Sequence, residues 1–363
     1  MLSTLKLIIV SQIKQSRQAG NKGGFTLIEL LVAMILAVLV ITPLLGFMIN
    51  FLQTDRREQA KATSAQEIQS ALDYIARDLE QAVYIYDADG IERNNDQDAD
   101  DSGIKDQIPP VAPATGCQEE DTCQPVLVFW KRKLLDKCDV IKGTRVGTLT
   151  GGNGNNCGGV RQGNDAAVYS LVTYYLIKDD QNDTWSDAAR IGRFEIRGGI
   201  PNFNGNNGTQ RTEGNQTVRY LLSPSLGFLP PDLDNSINQW TKHPTENYDD
   251  APTGTQVQPQ VQILVDYIDQ TEQTEDEPFA RSCVDSDAIQ EQQVPSEPKG
   301  AFYACVDSGK NTAQVFIRGN ALARVPSDWP LPRNGVPDYD PNKASFFPRG
   351  TILIEGRGTL GIQ

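Results

Sequence analysis

Residues 25–52 read FTLIELLVAMILAVLVITPLLGFMINFL, 28 consecutive positions with a single ionisable side chain, Glu29. A helix needs roughly 20 apolar residues to cross a bilayer, so this stretch is expected to form a membrane-spanning helix. Its neighbours orient it. The 24 residues before it carry Lys6, Lys14, Arg17 and Lys22 and no acidic residue, and the positive-inside tendency places them in the cytoplasm with the long C-terminal body across the membrane. In a secretory signal the small-residue cleavage site follows the apolar stretch, which is then lost. Here the small residues, Gly23 and Gly24, come before it, and the apolar stretch stays with the body.

The run Lys22-Gly23-Gly24-Phe25-Thr26-Leu27-Ile28-Glu29 closely resembles the type IV prepilin processing motif. That resemblance implies a cut by prepilin peptidase between Gly24 and Phe25, N-methylation of the new terminal Phe25, and retention of the helix in a pilus or pseudopilus. Glycine suits a position where backbone must enter an active site closely. The resemblance also gives Glu29, fifth in the mature chain, an assembly role, pairing with the N-terminal amine of a neighbouring subunit. A lone carboxylate in lipid costs on the order of a few kcal/mol and calls for such a partner. Pro43 removes one helical hydrogen bond and is expected to kink or loosen the helix. The implied partners are prepilin peptidase, other pilins or pseudopilins and an inner-membrane assembly platform. The implied location is the inner membrane as a single-pass protein and the filament at the cell surface.

Beyond residue 52 the pattern becomes amphipathic. Ile68, Leu72, Ile75, Leu79, Val83 and Tyr86 recur at steps of three and four, with Glu67, Asp73, Arg77, Asp78 and Glu80 assigned to the other faces, which predicts a helix continuing to residue 86. Stretches rich in β-branched and aromatic residues, at 126–130, 168–177, 193–197, 262–268 and 314–318, predict strands. The pair 168–177 and 193–197 reads as a hairpin turning at 179–183. The expected class is α+β: a long N-terminal helix, half in the membrane and half amphipathic, packed on an antiparallel sheet. The expected organisation is a leader at 1–24, a membrane or filament-core helix at 25–52, its amphipathic continuation at 53–86 and a β-rich body at 87–363. Polar stretches at 87–124, 143–165, 198–216, 229–259 and 269–300 read as surface insertions, since loops this long are unusual unless functional or mobile.

The net charge is −14, and it falls to −18 once the four leader cations are gone. So acidic a body argues against binding nucleic acid by phosphate neutralisation. Six cysteines, Cys117, Cys123, Cys138, Cys157, Cys283 and Cys305, follow the apolar segment; their even number and the extracytoplasmic placement predict disulfides. Fifteen pairings are possible, and the sequence-near one joins 117 to 123, 138 to 157 and 283 to 305. Zinc is the weaker alternative, with no C-x-x-C and one histidine in the chain, His243. Asp96, Asp98 and Asp100 alternate in a way that could gather oxygens on calcium, although Asp101 stands where an EF-hand needs glycine and Gln107 where it needs glutamate. A solvated acidic loop is the competing reading. With a single histidine and no phosphate-loop ending, a catalytic role is not expected.

At a finer level the Tyr-rich strand followed by an Arg-bounded one is similar to minor pseudopilins of the J/W type. Residues 261–269 and 315–324 are most similar to the C-type pseudopilin of cyanobacterial hormogonium polysaccharide secretion. That resemblance implies a minor subunit supporting polysaccharide export and gliding. The alternatives it leaves open are a minor type IV pilin for adhesion or pilus assembly, and a J-type pseudopilin of type II protein secretion.

Overall fold

The computed structural model describes residues 25–141, 144–149, 164–178, 184–202, 208–213, 216–232, 235–272, 283, 285–286, 289–290, 292–325 and 335–358. The chain divides after Arg56 into two compact units. One helix, α1 (Leu27–Leu79), begins in the first and ends in the second. The class is α+β, as expected: the long helix is followed by antiparallel sheets.

Within the second unit, the last turns of α1 bury Ile68, Ala71, Leu72, Ile75 and Leu79 in the main core. The next layer is a five-stranded antiparallel sheet of β1 (Ala82–Ile85), β2 (Cys123–Leu135), β3 (Ala166–Ile177), β4 (Ala189–Arg197) and β5 (Gln262–Ile268), in that spatial order. The expected hairpin is present, pairing Ser170 with Arg197 and Ile177 with Arg190; its turn at 179–183 lies outside the described residues. A second antiparallel sheet contains β6 (Gln292–Val294), β7 (Phe302–Asp307), β8 (Thr312–Arg318) and β9 (Arg349–Glu355). A small three-stranded sheet joins Ile200–Pro201, Gln216–Leu222 and Thr209–Glu213. The single expected sheet is therefore several.

Strand alternation gives the central sheet two buried faces. On β2, Lys131 reaches Asp78 of the helix, whereas its neighbour Trp130 stacks edge-on with Trp240 and Phe228. Phe194 of β4 likewise meets Tyr248. Phe228, Trp240 and Tyr248 thus cover part of the sheet face away from the helix. Most of 229–259 is exposed or half-buried, in keeping with a surface insertion, but Trp240 and Tyr248 are buried in the core, where their rings carry large apolar area. Gly227, at φ +73°, makes room for this packing, since a Cβ there would meet the Tyr248 ring at 2.3 Å.

The helix also ends earlier than expected. It stops at Leu79, and Val83 and Tyr86 are buried in and just after β1 instead of on a helical face. Tertiary partners decide this. Arg132 and Arg357 donate backbone N–H bonds to the carbonyls of Gln81 and Glu80, and Gly358 donates to Ala82. The Val-Tyr-Ile run also suits a strand better than a helix.

Where α1 crosses the second sheet the contact depends on glycine. A Cβ on Gly350 of β9 would stand 2.5 Å from Leu72 Cδ1 and 3.4 Å from Ile68 Cγ2. Gly350→Val is therefore expected to lower stability by about 1–3 kcal/mol through overpacking, read as an earlier thermal transition of the purified chain; an unchanged transition would mean the helix does not lie on β9.

Candidate processing and assembly segment

Gly24 lies outside the described residues, which begin at Phe25, an exposed side chain. Thr26 caps the helix: its hydroxyl accepts from the backbone N–H of Glu29 at 3.3 Å, and its carbonyl accepts from Leu30 at 3.1 Å. Thr26 and Glu29 hold the N-cap and N3 positions of a Thr-x-x-Glu pattern, the spacing of a capping box. Sequence reasoning assigned Glu29 and missed Thr26, although the Thr-x-x-Glu spacing before an apolar run was its signal. A carboxylate in the first turn also sits favourably in the positive end of the helix dipole. Glu29 is exposed, so the carboxylate is open to a partner's ammonium.

From Phe25 to Leu52 the large apolar side chains stand uncovered. Among the described residues α1 is the one helix long and apolar enough to cross a membrane. Continuous apolar exposure of this length is far beyond what a free surface tolerates and marks an interaction with lipid or with other helices. The helix runs through Pro43 without a break; Pro43 has no N–H for the Leu39 carbonyl. Beside it the Thr42 hydroxyl bonds back to the Val38 carbonyl at 2.8 Å, a contact that commonly bends helices slightly.

Residues 20–45 match the family model described as the prokaryotic N-terminal methylation motif. The motif supports a type IV pilin-like protein, anchored by one N-terminal apolar helix, and implies processing by prepilin peptidase and assembly with other pilins. Its family is one of structural subunits. No curated protein and no solved structure matches the chain.

The other predicted site residues are scattered. The structure pairs Cys117 with Cys123 and Cys283 with Cys305, while Cys157, the predicted partner of Cys138, lies outside the described residues. Asp96, Asp98 and Asp100 are not brought together as a cation cage. Asp96 accepts from the Asp98 amide at 3.0 Å and Asp98 from the Asp100 amide at 3.1 Å, so two of these carboxylates are spent on consecutive local turns. Among the described residues no group of three or more His, Cys, Asp or Glu is placed to hold a metal ion. His243 is buried, its Nε2 3.0 Å from the Thr212 carbonyl, in a structural setting.

A constellation that sequence reasoning missed locks the anchor helix to the body. Asp78, expected on a polar face, is buried and receives Arg193 Nε at 2.7 Å, Lys131 Nζ at 3.1 Å and the Tyr174 hydroxyl at 2.8 Å. Glu195 closes the network on Arg193 at 2.8 Å and Lys131 at 3.1 Å. Burial pushes the Asp78 carboxyl up, but Arg193, Lys131 and Tyr174 outweigh it and hold the carboxyl below the ordinary range; Arg193 and Lys131 do the same for Glu195 against its own burial. The missed signal was spacing, since Ser64, Ala71 and Asp78 recur every seven residues and all three are buried.

Proposed function

We propose that the chain is a minor pseudopilin, a structural subunit of a filament related to type IV pili and type II secretion, and that it serves polysaccharide export and gliding. The observation that carries the reading is the register of four features: the methylation motif, the Thr26-capped helix start, the exposed Glu29 and the uncovered apolar helix. In this reading residues 1–24 are the leader, the chain matures at Phe25, residues 25–52 sit in the membrane or filament core, and the rest is the extracytoplasmic body. The disulfides suit that compartment. The size of the body favours a minor, low-copy position, because a repeated shaft is built most readily from compact copies.

Deleting the gene and quantifying both released polysaccharide and released protein tests the assignment. Loss of polysaccharide release and gliding is the expected result; loss of exoprotein release instead assigns the chain to protein secretion, and unchanged export of both overturns the export role. Glu29→Val tests assembly. The variant is expected to lose its leader normally yet to fall on the order of tenfold or more in sheared filaments, since a carboxylate paired at membrane depth is worth a few kcal/mol. Undiminished incorporation would remove Glu29 from the assembly contact.

A further inference from the structure

The body holds a cavity of about 390 Å³, within the size range of ligand sites. Four separated segments build it, and side chains pin them together. The amide and hydroxyl of Ser296 both donate to the Glu92 carboxylate at 2.7 Å. Gln124 donates to the Glu297 carbonyl at 2.7 Å and accepts from the Lys299 amide at 2.8 Å. The Cys117–Cys123 disulfide ties down the segment that leads into the wall at Cys123, Gln124 and Pro125. The site is therefore formed before any ligand arrives, which lowers the ordering cost of binding.

Its chemistry is two-sided. Ile91, Ile108, Pro109, Pro110, Pro125 and Pro295 supply apolar wall, with no aromatic ring among the lining residues. Around them stand four carboxylates, Glu92, Glu120, Asp121 and Glu297, and two ammonium groups, Lys105 and Lys299. The lysines are loosely held: Lys105 is 4.0 Å from Glu120 and Lys299 is 3.6 Å from Asp121, and both lysines are more than two-fifths exposed. The lining carries two more carboxylates than ammonium groups, which disfavours an anion. Glu92 is taken by Ser296 while Glu120 and Asp121 stand beside the lysines, which leaves a cation few open acceptors. An apolar molecule would make no hydrogen bond to the polar rim. Carboxylates only accept and ammonium groups only donate, whereas a hydroxyl does both. A neutral ligand carrying many adjacent hydroxyls, with C–H faces to lay on proline and isoleucine, suits both the polar and the apolar parts of the lining.

From this lining we infer that the cavity binds a neutral saccharide, a few sugar residues of a glycan chain, so that the subunit touches the polymer its filament moves. The glycan's origin as exported polymer rests on the function proposed above; the binding itself does not. The test uses the full mature chain in a zwitterionic detergent, because maltoside headgroups would compete. Cellotetraose and maltotetraose are the neutral probes, tetragalacturonate the anionic one and chitosan tetramer the cationic one, each titrated by calorimetry and saturation-transfer NMR. Saturable binding of a neutral probe is expected, abolished by Val111→Trp, which fills the half-exposed rim, and weakened roughly tenfold by Lys299→Met, the loss of one charged donor. Binding confined to a charged probe, neutral binding that survives Val111→Trp, or no binding by any probe overturns the inference. Since processing and filament entry are read separately, a chain that assembles but binds no sugar sinks the cavity alone, and one that binds sugar but is never processed sinks the subunit assignment alone.

Discussion

A Gly24→Val chain is expected to accumulate in the membrane with all 24 leader residues attached, and to be absent from filaments. The expectation follows from the geometry a peptidase needs. The scissile bond has to enter an active site edge-on from just outside a membrane, and a residue without a side chain lets the backbone approach; a β-branched side chain fills that space and restricts the backbone. Gly23→Ala, one residue further from the bond, is expected to be processed. Immunoblots of membranes and sheared filaments read both outcomes: the unprocessed form runs larger, and the processed one appears in filaments. Efficient trimming of Gly24→Val would place the cut elsewhere. The effect is all or none because Phe25 and its amine exist as a terminus only after the cut, and the role proposed for Glu29 in assembly requires that amine.

The second large effect is on stability. Asp78→Ala leaves Arg193 and Lys131 in a buried setting with Glu195 alone to balance them. Removing one partner of a buried ion pair costs about 3–5 kcal/mol, most of it the desolvation of the charge left behind. Chemical unfolding of the full chain at pH 7 should show a loss of that size, and Asp78→Ala with Arg193→Met should recover part of it, because the stranded guanidinium is gone. A loss within about 0.5 kcal/mol, the range of ordinary surface substitutions, would mean the network does not hold the helix.

The same network sets an acid limit. Both carboxyls are held below their ordinary values in the folded chain, so each contributes stability that is fully present above the ordinary carboxylate range of about 3.9 to 4.3. That contribution is lost as the pH falls through the lowered folded values. The gap between the native chain and Asp78→Ala is accordingly expected to narrow when unfolding is repeated from pH 5 to pH 3. A gap that widens in acid would reverse the sign of the coupling.

The first part of the helix and the placement of Glu29 were legible because a bilayer-length apolar run is set by one dominant interaction, burial away from water. Strands β2, β3, β4, β5 and β8 were legible for a related reason, as β-branched and aromatic runs fit a pleated, buried surface. Strand β7 was legible only at its Cys305 end, through the Cys-Val-Asp-Ser run that recurs at 283–286 and suggests strand ends bridged by a disulfide. The rest of Phe302–Asp307 has no alternation, since all six residues are buried, which leaves no period to read. Strand β1 was hidden by a pattern that both elements satisfy, with Val83 and Tyr86 in helical phase; bonds from Arg132, Arg357 and Gly358, far away in sequence, decided against the helix. Within 229–259, read as an insertion, the polar composition hid two residues, Trp240 and Tyr248, whose rings reach the sheet. Asp78 was assigned outward because residue type outweighed phase. Its partners Lys131, Tyr174 and Arg193 lie on three different strands, and only the sheet register brings them to one point.

The most direct measurement is the intact mass and N-terminal sequence of the protein purified from membranes of cells with an active prepilin peptidase, beside the same protein from cells lacking that enzyme. A chain that starts at N-methylated Phe25 is expected in the first and one that keeps its leader in the second. A chain that still begins before Gly24 in both would contradict it.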